Sequence, residues 1–254
     1  MNVIKYLISV LISRLKWIKN FRSFIYLLNF VNLSTLKKCK NQRNNKKGSA
    51  VWVVKVGGSL LGSPELERWL GLFAKFSDGN IIIVPGGGVF ADAVRDAQKV
   101  SKISDACAHK LAVLAMDQFG LLLANMNHEL VVARTEMEID ERTWQHRCIV
   151  WLPSQMVLAD DSIPKSWDVT SDSIAAWLAE KVDAQQLVLV KSDKPDGTQL
   201  SLRMMTESGI VDEAFSDFVL NKTFGRWVLK KTDCEYFLEG VTYETLGKVA
   251  GSLH

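Results

Sequence analysis

The sequence predicts an α/β fold, a three-layer sandwich with a mostly parallel central sheet and helices on both faces. Three observations carry this reading. Short, continuously apolar runs recur at Val53–Val56, Ile81–Val84, Arg147–Leu152 and Leu187–Val190, the signature of strands buried on both faces. Segments with helical spacing of apolar residues separate them, and strands alternating with helices imply a parallel sheet covered on both sides. Glycine-rich or polar loops follow the strands, and in such sheets ligands gather at the carboxyl ends of strands.

The first run is Val53-Val54-Lys55-Val56, followed at once by Gly57-Gly58-Ser59. A lysine inside an apolar strand is costly unless an anion awaits it. The glycines permit a tight turn whose backbone N–H groups can cradle phosphate oxygens. The order differs from G-x-x-x-x-G-K-[ST], because here the lysine precedes the glycines. Taken alone, the stretch is equally an ordinary strand end with a solvated lysine. The second run ends in Pro85-Gly86-Gly87-Gly88 and opens a helix through Phe90–Arg95, which offers free amides and a positive dipole end to a second anion.

Ser104–Asn127 reads as one long helix in which His109 and Met116 are assigned to packing. Arg147–Leu152 is a third strand, stopped by Pro153, with a short helix or turn over 154–158. Next comes Asp168-Val169-Thr170-Ser171-Asp172-Ser173, where Ser171, Asp172 and Ser173 are natural caps for a helix over Ile174–Lys181. Capping accounts for one of these residues. It leaves Asp168 and Asp172 together unexplained, and a carboxylate there would orient phosphate-binding lysines or help hold Mg²⁺. The run Leu187–Val190 ends in Lys191-Ser192-Asp193-Lys194, a polar turn at a fourth strand end.

Charge divides the chain. Residues 1–49 carry 11 Lys/Arg and no Asp or Glu, leaving 20 basic against 28 acidic residues in 50–254, a net of −8. A general nucleic-acid surface is therefore not expected. Apolar patches at 6–13 and 24–31 are interrupted by basic residues and fall short of the ~18–20 residues that span a bilayer. Three readings of 1–49 stand: a basic segment on a membrane surface, a targeting leader, or translated upstream sequence from a start placed too early, the preferred one. One domain is expected over 50–254. Cys39, Cys107, Cys148 and Cys234 form no C-x-x-C pair, so reduced thiols in a cytoplasmic protein are expected, with no protein metal site.

Taken in order, Lys55-Val56-Gly57-Gly58-Ser59, Pro85-Gly86-Gly87-Gly88, Thr170-Ser171-Asp172-Ser173 and Ser192-Asp193 resemble the amino acid kinase superfamily, which includes acetylglutamate kinases, aspartokinases and uridylate kinases. The resemblance covers about 200 residues. It implies an ATP-dependent, Mg²⁺-using enzyme of homo-oligomeric assembly. It also implies that Lys55, Gly57, Gly58 and Ser59 bind the ATP phosphates and that Gly86, Gly87, Gly88 and Asp168 hold the acceptor. Asp172 would organise the site, with Ser192 and Asp193 on the nucleotide side. Many relatives carry a second catalytic lysine late in the chain, in a glycine-flanked segment that this sequence lacks. Lys191, Lys194 and Lys222 are the candidates, Lys191 being preferred, and the short basic stretch Asn221–Lys231 implies a reduced nucleotide loop.

Shorter pieces, among them Ala108-His109-Lys110-Leu111-Ala112, Ser166-Trp167 and Val211-Asp212-Glu213, resemble one branch of the family. Its members phosphorylate an aminomethylfuran phosphate monoester to a diphosphate in methanofuran biosynthesis. A nucleotide- or oxyanion-storage protein on the same fold remains an alternative, as does a kinase for another small carboxylate or phosphate.

Overall fold

An eight-stranded sheet organises the chain, in a computed structural model that describes residues 50–254; the readings of 1–49 lie outside the described residues. Its order is β3-β4-β2-β1-β5-β7-β8-β6. The central strands are β1 (Trp52–Val56), β2 (Ile81–Pro85), β4 (Cys148–Trp151) and β5 (Gln186–Lys191), flanked by β3 (Leu130–Ala133) and β7 (Gly225–Lys230). All of these pair in parallel, while β8 (Gly251–Leu253) runs antiparallel to β7 and carries β6 (Gln199–Leu200) at the edge. The α/β reading thus holds, with a mixed, mostly parallel sheet.

Side chains alternate across each strand, and the two faces build two cores. On one face Val53, Ile82, Val84, Ile149, Leu187 and Leu189 pack with Ile174, Ala175 and Leu178 of helix α6 (Ser171–Lys181). On the other, Val54, Val56, Ile81, Ile83, Val188 and Val190 meet Leu66, Trp69, Leu70 and Phe73 of α1 (Pro64–Phe76). Trp69 stacks on Phe73 with ring centroids 5.3 Å apart, closing this second core. Between β2 and β3 lie α2 (Gly88–Ser101) and α3 (Asp105–Met126). By length and composition α3 could cross a membrane, but Val113, Met116, Phe119 and Leu123 bury it within the domain. The remaining helices are α4 (Glu136–Trp144), α5 (Ser154–Val157), α7 (Leu202–Glu207), α8 (Phe215–Val219) and α9 (Tyr243–Val249).

The alternation decides where the lysines go. Lys55 shares the α6 face with Val53, and Lys191 shares it with Leu187 and Leu189, four and two residues earlier. β1 and β5 are neighbours in register, Lys55 opposite Leu189, so both lysines emerge at carboxyl ends of adjacent strands. The stretch read as a reduced nucleotide loop, Asn221–Lys231, instead contains β7, which pairs with β5 through six residues.

Candidate active site

Helix α6 brings Asp172 onto the two lysines from above the sheet. The Lys55 Nζ lies 3.0 Å from Asp172 Oδ1, and the Lys191 Nζ donates to Oδ2 at 2.6 Å. Lys55 and Asp172 are only 5% and 4% exposed. The Lys191 contact is a directed hydrogen bond; the Lys55 contact is an ion pair without that geometry, which leaves the Lys55 ammonium donors to spare. Burial pushes the Asp172 carboxyl upward, but Lys191 and Lys55 outweigh it and hold the group below the usual carboxylate range. Burial drives Lys191 down to about 8, with Asp172 opposing and Lys55 adding to the fall. Two ammonium groups around one carboxylate leave a net buried positive charge at the end of the sheet, suited to an anion.

Asp172 is not the cap of its helix. Thr170 holds the N-cap position without a side-chain cap bond, and the helix begins at Ser171. Asp212 caps it from outside: its Oδ2 accepts from the Thr170 and Ser173 N–H groups at 2.9 and 3.0 Å and from the Thr170 hydroxyl at 2.8 Å. Its Oδ1 accepts from the Ser173 hydroxyl. Burial, and then the nearby Asp172, push the Asp212 carboxyl up. Asp212 therefore fixes the helical turn that carries Asp172.

The two glycine loops press on one another beside this cluster. A Cβ at Gly58 would sit 2.2 Å from Gly88 N and 2.3 Å from Gly88 Cα, and one at Gly86 would sit 2.6 Å from Gly58 N. No side chain fits there. The Gly57 N–H is already spent on Val190 O at 3.0 Å, and the Gly86 N–H on Val56 O at 2.9 Å. The expectation of a phosphate-binding amide at Gly57 is thus corrected: β1 extends its ladder one residue before the chain turns. Gly58 and Ser59 open a 3₁₀ turn and Gly87 and Gly88 open α2, and none of these four N–H groups has a partner among the described residues. Two free helix starts thus converge beside the net positive charge, an arrangement for binding phosphates.

Beside the loops opens a cavity of about 420 Å³, walled by Gly58, Gly86–Gly88, Arg95, Met116, Trp167 and Ser171 among others. Trp167 is held by a bond from its Nε1 to Gln98 Oε1 at 2.7 Å and by the Arg95 guanidinium 4.5 Å from its ring centre. Arg95 in turn pairs with Asp92 at 2.8 Å. His109, buried in α3 with its Nδ1 3.1 Å from the Ser166 carbonyl oxygen, lines the cavity too. Asp168 does not join them: it is exposed, and its carboxylate accepts from the Ser166 hydroxyl at 3.0 Å.

Ser192 Oγ lies 3.0 Å from Ser59 Oγ, joining the β1 and β5 turns. Asp193 pairs with Lys230, at the end of β7, at 2.7 Å. Of the three lysine candidates, Lys191 reaches Asp172, whereas Lys222 bonds Glu180 near the opposite end of α6. Lys230 and Arg95 had no assigned role in the sequence, Asp212 entered only through the branch resemblance, and His109 only as a packing residue. Lys230 had a legible signal, the Trp-Val-Leu-Lys run that ends β7.

The donor set does not suit a resident Mg²⁺. Both Asp172 oxygens are engaged by lysines, and no group of three or more His, Cys, Asp or Glu converges among the described residues. Any Mg²⁺ would ride on nucleotide phosphates, which is how this ion commonly enters such sites. Cys107, Cys148 and Cys234 are free thiols.

Comparison with known proteins gives the family and the fold. A sequence profile described as "Amino acid kinase family" matches residues 50–194. The [5-(aminomethyl)furan-3-yl]methyl phosphate kinase of Methanocaldococcus jannaschii is 32% identical over 138 residues, a match spanning 54% of this chain and 63% of that relative. The crystal structure of uridylate kinase from Archaeoglobus fulgidus superposes with a TM-score of 0.58 at 18% identity, covering 80% of this chain and all of that one. Aspartate kinase from Synechocystis superposes with a TM-score of 0.55 at 14% identity, over 72% of this chain and 38% of that one. The chain belongs to the amino acid kinase family.

Proposed function

We propose that this chain transfers the γ-phosphoryl group of ATP to the phosphate of a small phosphate monoester, giving a diphosphate and ADP. The observation that carries the reading is the buried Lys55–Asp172–Lys191 cluster beside two abutting glycine loops, at the edge of a cavity large enough for a small acceptor. In the transfer, the bond from the γ-phosphorus to its bridging oxygen breaks, and an acceptor phosphate oxygen forms the new one. A phosphate monoester has a second pKa near 6, so its oxygen is ionised at neutral pH and needs no strong base. The difficulty is bringing two anions together, which calls for positioning and charge neutralisation.

In this reading Lys55 and Lys191 neutralise the transferring group, and Asp172 aims both. The free Gly58 and Ser59 amides hold the nucleotide phosphates, with Ser192, Asp193 and Lys230 beside them. Gly87 and Gly88 hold the acceptor phosphate at the start of α2. MgATP brings its own ion, which supplies further charge neutralisation on the phosphates. The acceptor we propose is [5-(aminomethyl)furan-3-yl]methyl phosphate. Support for it comes from the M. jannaschii relative and from the resemblance of the Ala108–Ala112, Ser166-Trp167 and Val211–Glu213 pieces to that branch of the family.

A coupled assay of ADP release across phosphate monoesters tests the proposal. ADP formation dependent on this monoester, with a diphosphate product, is expected. ATP binding without turnover on any acceptor would favour a storage protein instead. A cytoplasmic homo-oligomer is part of the same proposal. The exposed Leu111, Leu114 and Leu121 on one side of α3 offer an apolar face for a second copy, which light scattering of the full chain would check.

A further inference from the structure

The far wall of the cavity holds a polar atom that the proposed transfer does not use. His109 stands in the first two turns of α3, is 3% exposed, and lines the cavity. Its Nδ1 lies 3.1 Å from the Ser166 carbonyl oxygen. A carbonyl only accepts, so Nδ1 carries the proton and Nε2 of the neutral ring keeps its lone pair. No described residue gives Nε2 a partner. Burial favours this neutral form, the Ser166 bond opposes it, and Lys165 assists it.

Helix α3 sets the distance between the two ends. Its Phe119 ring would lie 3.6 Å from a Cβ at Gly88, which puts the glycine loops at the Phe119 end of the cavity. Met116 and His109 both line the cavity, seven residues and therefore about 10 Å apart along the axis. Between them Ala112 and Val113 on α3, with Val169 and Ile174 across from them, make an apolar middle. The site thus reads as anion-binding at one end, apolar in the centre, and hydrogen-bond accepting at the other.

We propose that His109 is a specificity residue whose Nε2 accepts a hydrogen bond from a donor group, a primary amine, carried by the acceptor at the end opposite its phosphate. The proposal rests on the phosphate-monoester reading above and adds which chemical feature the pocket selects. Trp167, clamped between Gln98 and Arg95, would keep the ring of such an acceptor in place.

The test is calorimetric titration, without ATP, of [5-(aminomethyl)furan-3-yl]methyl phosphate and of the analogue with methyl in place of aminomethyl. The proteins are the full chain, His109→Leu and His109→Gln. The native protein should bind the amine about 10- to 100-fold more tightly, the range for a hydrogen bond to a charged group. His109→Leu should erase that preference while leaving the methyl analogue within about threefold of native affinity. His109→Gln, which keeps an acceptor oxygen, should restore part of it, and it carries the test if the leucine variant does not fold. Equal preference in native and His109→Leu proteins would overturn the assignment, as would a native protein that does not distinguish the two ligands or binds neither. Failure of the kinase reading looks different: no ADP release with either ligand, while the amine preference persists.

Discussion

Replacing Asp172 by asparagine removes the one anion that two buried lysines share. Each ammonium contacts a different oxygen of the same carboxylate, at 3.0 and 2.6 Å. At these separations the attraction is about 5–6 kcal/mol per pair at an effective dielectric of ~20. Without it the two cations, within about 8 Å of each other, repel by about 2 kcal/mol. Removing one partner of a buried ion pair costs about 3–5 kcal/mol, and Asp172→Asn should be destabilised by that amount at pH 6. The sign of the pH dependence follows from Lys191, already lowered to about 8 with Asp172 opposing the fall. In the variant nothing opposes it, so Lys191 loses its proton at a lower pH than in the native protein. Between those two values the folded variant has shed a proton that its unfolded chain retains, so its stability rises with pH relative to native. Urea unfolding followed by tryptophan fluorescence at pH 6 and pH 8.5 measures this. The deficit should narrow at the higher pH; a deficit that stays constant or widens would refute the shared-carboxylate account.

Four further outcomes follow from the same geometry. In the native protein kcat/KM should fall as pH rises through about 8, where Lys191 of the free enzyme loses its charge. Stability should move the opposite way, because from about 8 up to the usual 10.5 the unfolded chain holds the proton that the folded one has lost. Gly58→Ala would drive a Cβ to 2.2 Å from Gly88 N; separating the loops should cost about 1–3 kcal/mol and most of the turnover, checked by melting and rate assays. Asp212→Ala strips the outside cap from α6 and should cost about 2 kcal/mol or more. It should also lower kcat by disordering Asp172, whereas an unchanged kcat would free the active site from dependence on that cap.

The strands that were legible in the sequence are those whose apolar runs are continuous, β1, β2, β4 and β5, because burial on both faces admits little else. β7 leaves only a short apolar run, Trp227–Leu229, between Arg226 and the terminal Lys230, and the Arg226 side chain turns away to bond the Val219 carbonyl. β6 and β8, two and three residues long, carry no readable period. Within the site, Lys55 could be picked out because a charge inside an apolar strand has to be compensated, and Asp172 because capping left it unexplained, whereas Lys191 came only from the family resemblance. That they meet at one carboxylate depends on strand order, which no local pattern states. Asp212 lies 42 and 39 residues after the Thr170 and Ser173 amides it caps, so the local series Ser171-Asp172-Ser173 pointed to the wrong cap. Gly57 and Gly58 are indistinguishable in sequence; only the extra ladder bond to Val190 separates a spent amide from a free one.

The central claim is that Lys55, aimed by Asp172 beside the glycine loops, neutralises the transferring phosphoryl group. Single-turnover phosphorylation of [5-(aminomethyl)furan-3-yl]methyl phosphate by the native chain and by Lys55→Ala, each saturated with MgATP, tests it most directly. Diphosphate formation should slow by about 100-fold or more in the variant, the loss seen when a preorganised donor to developing charge is removed. Near-native formation in Lys55→Ala would contradict the account.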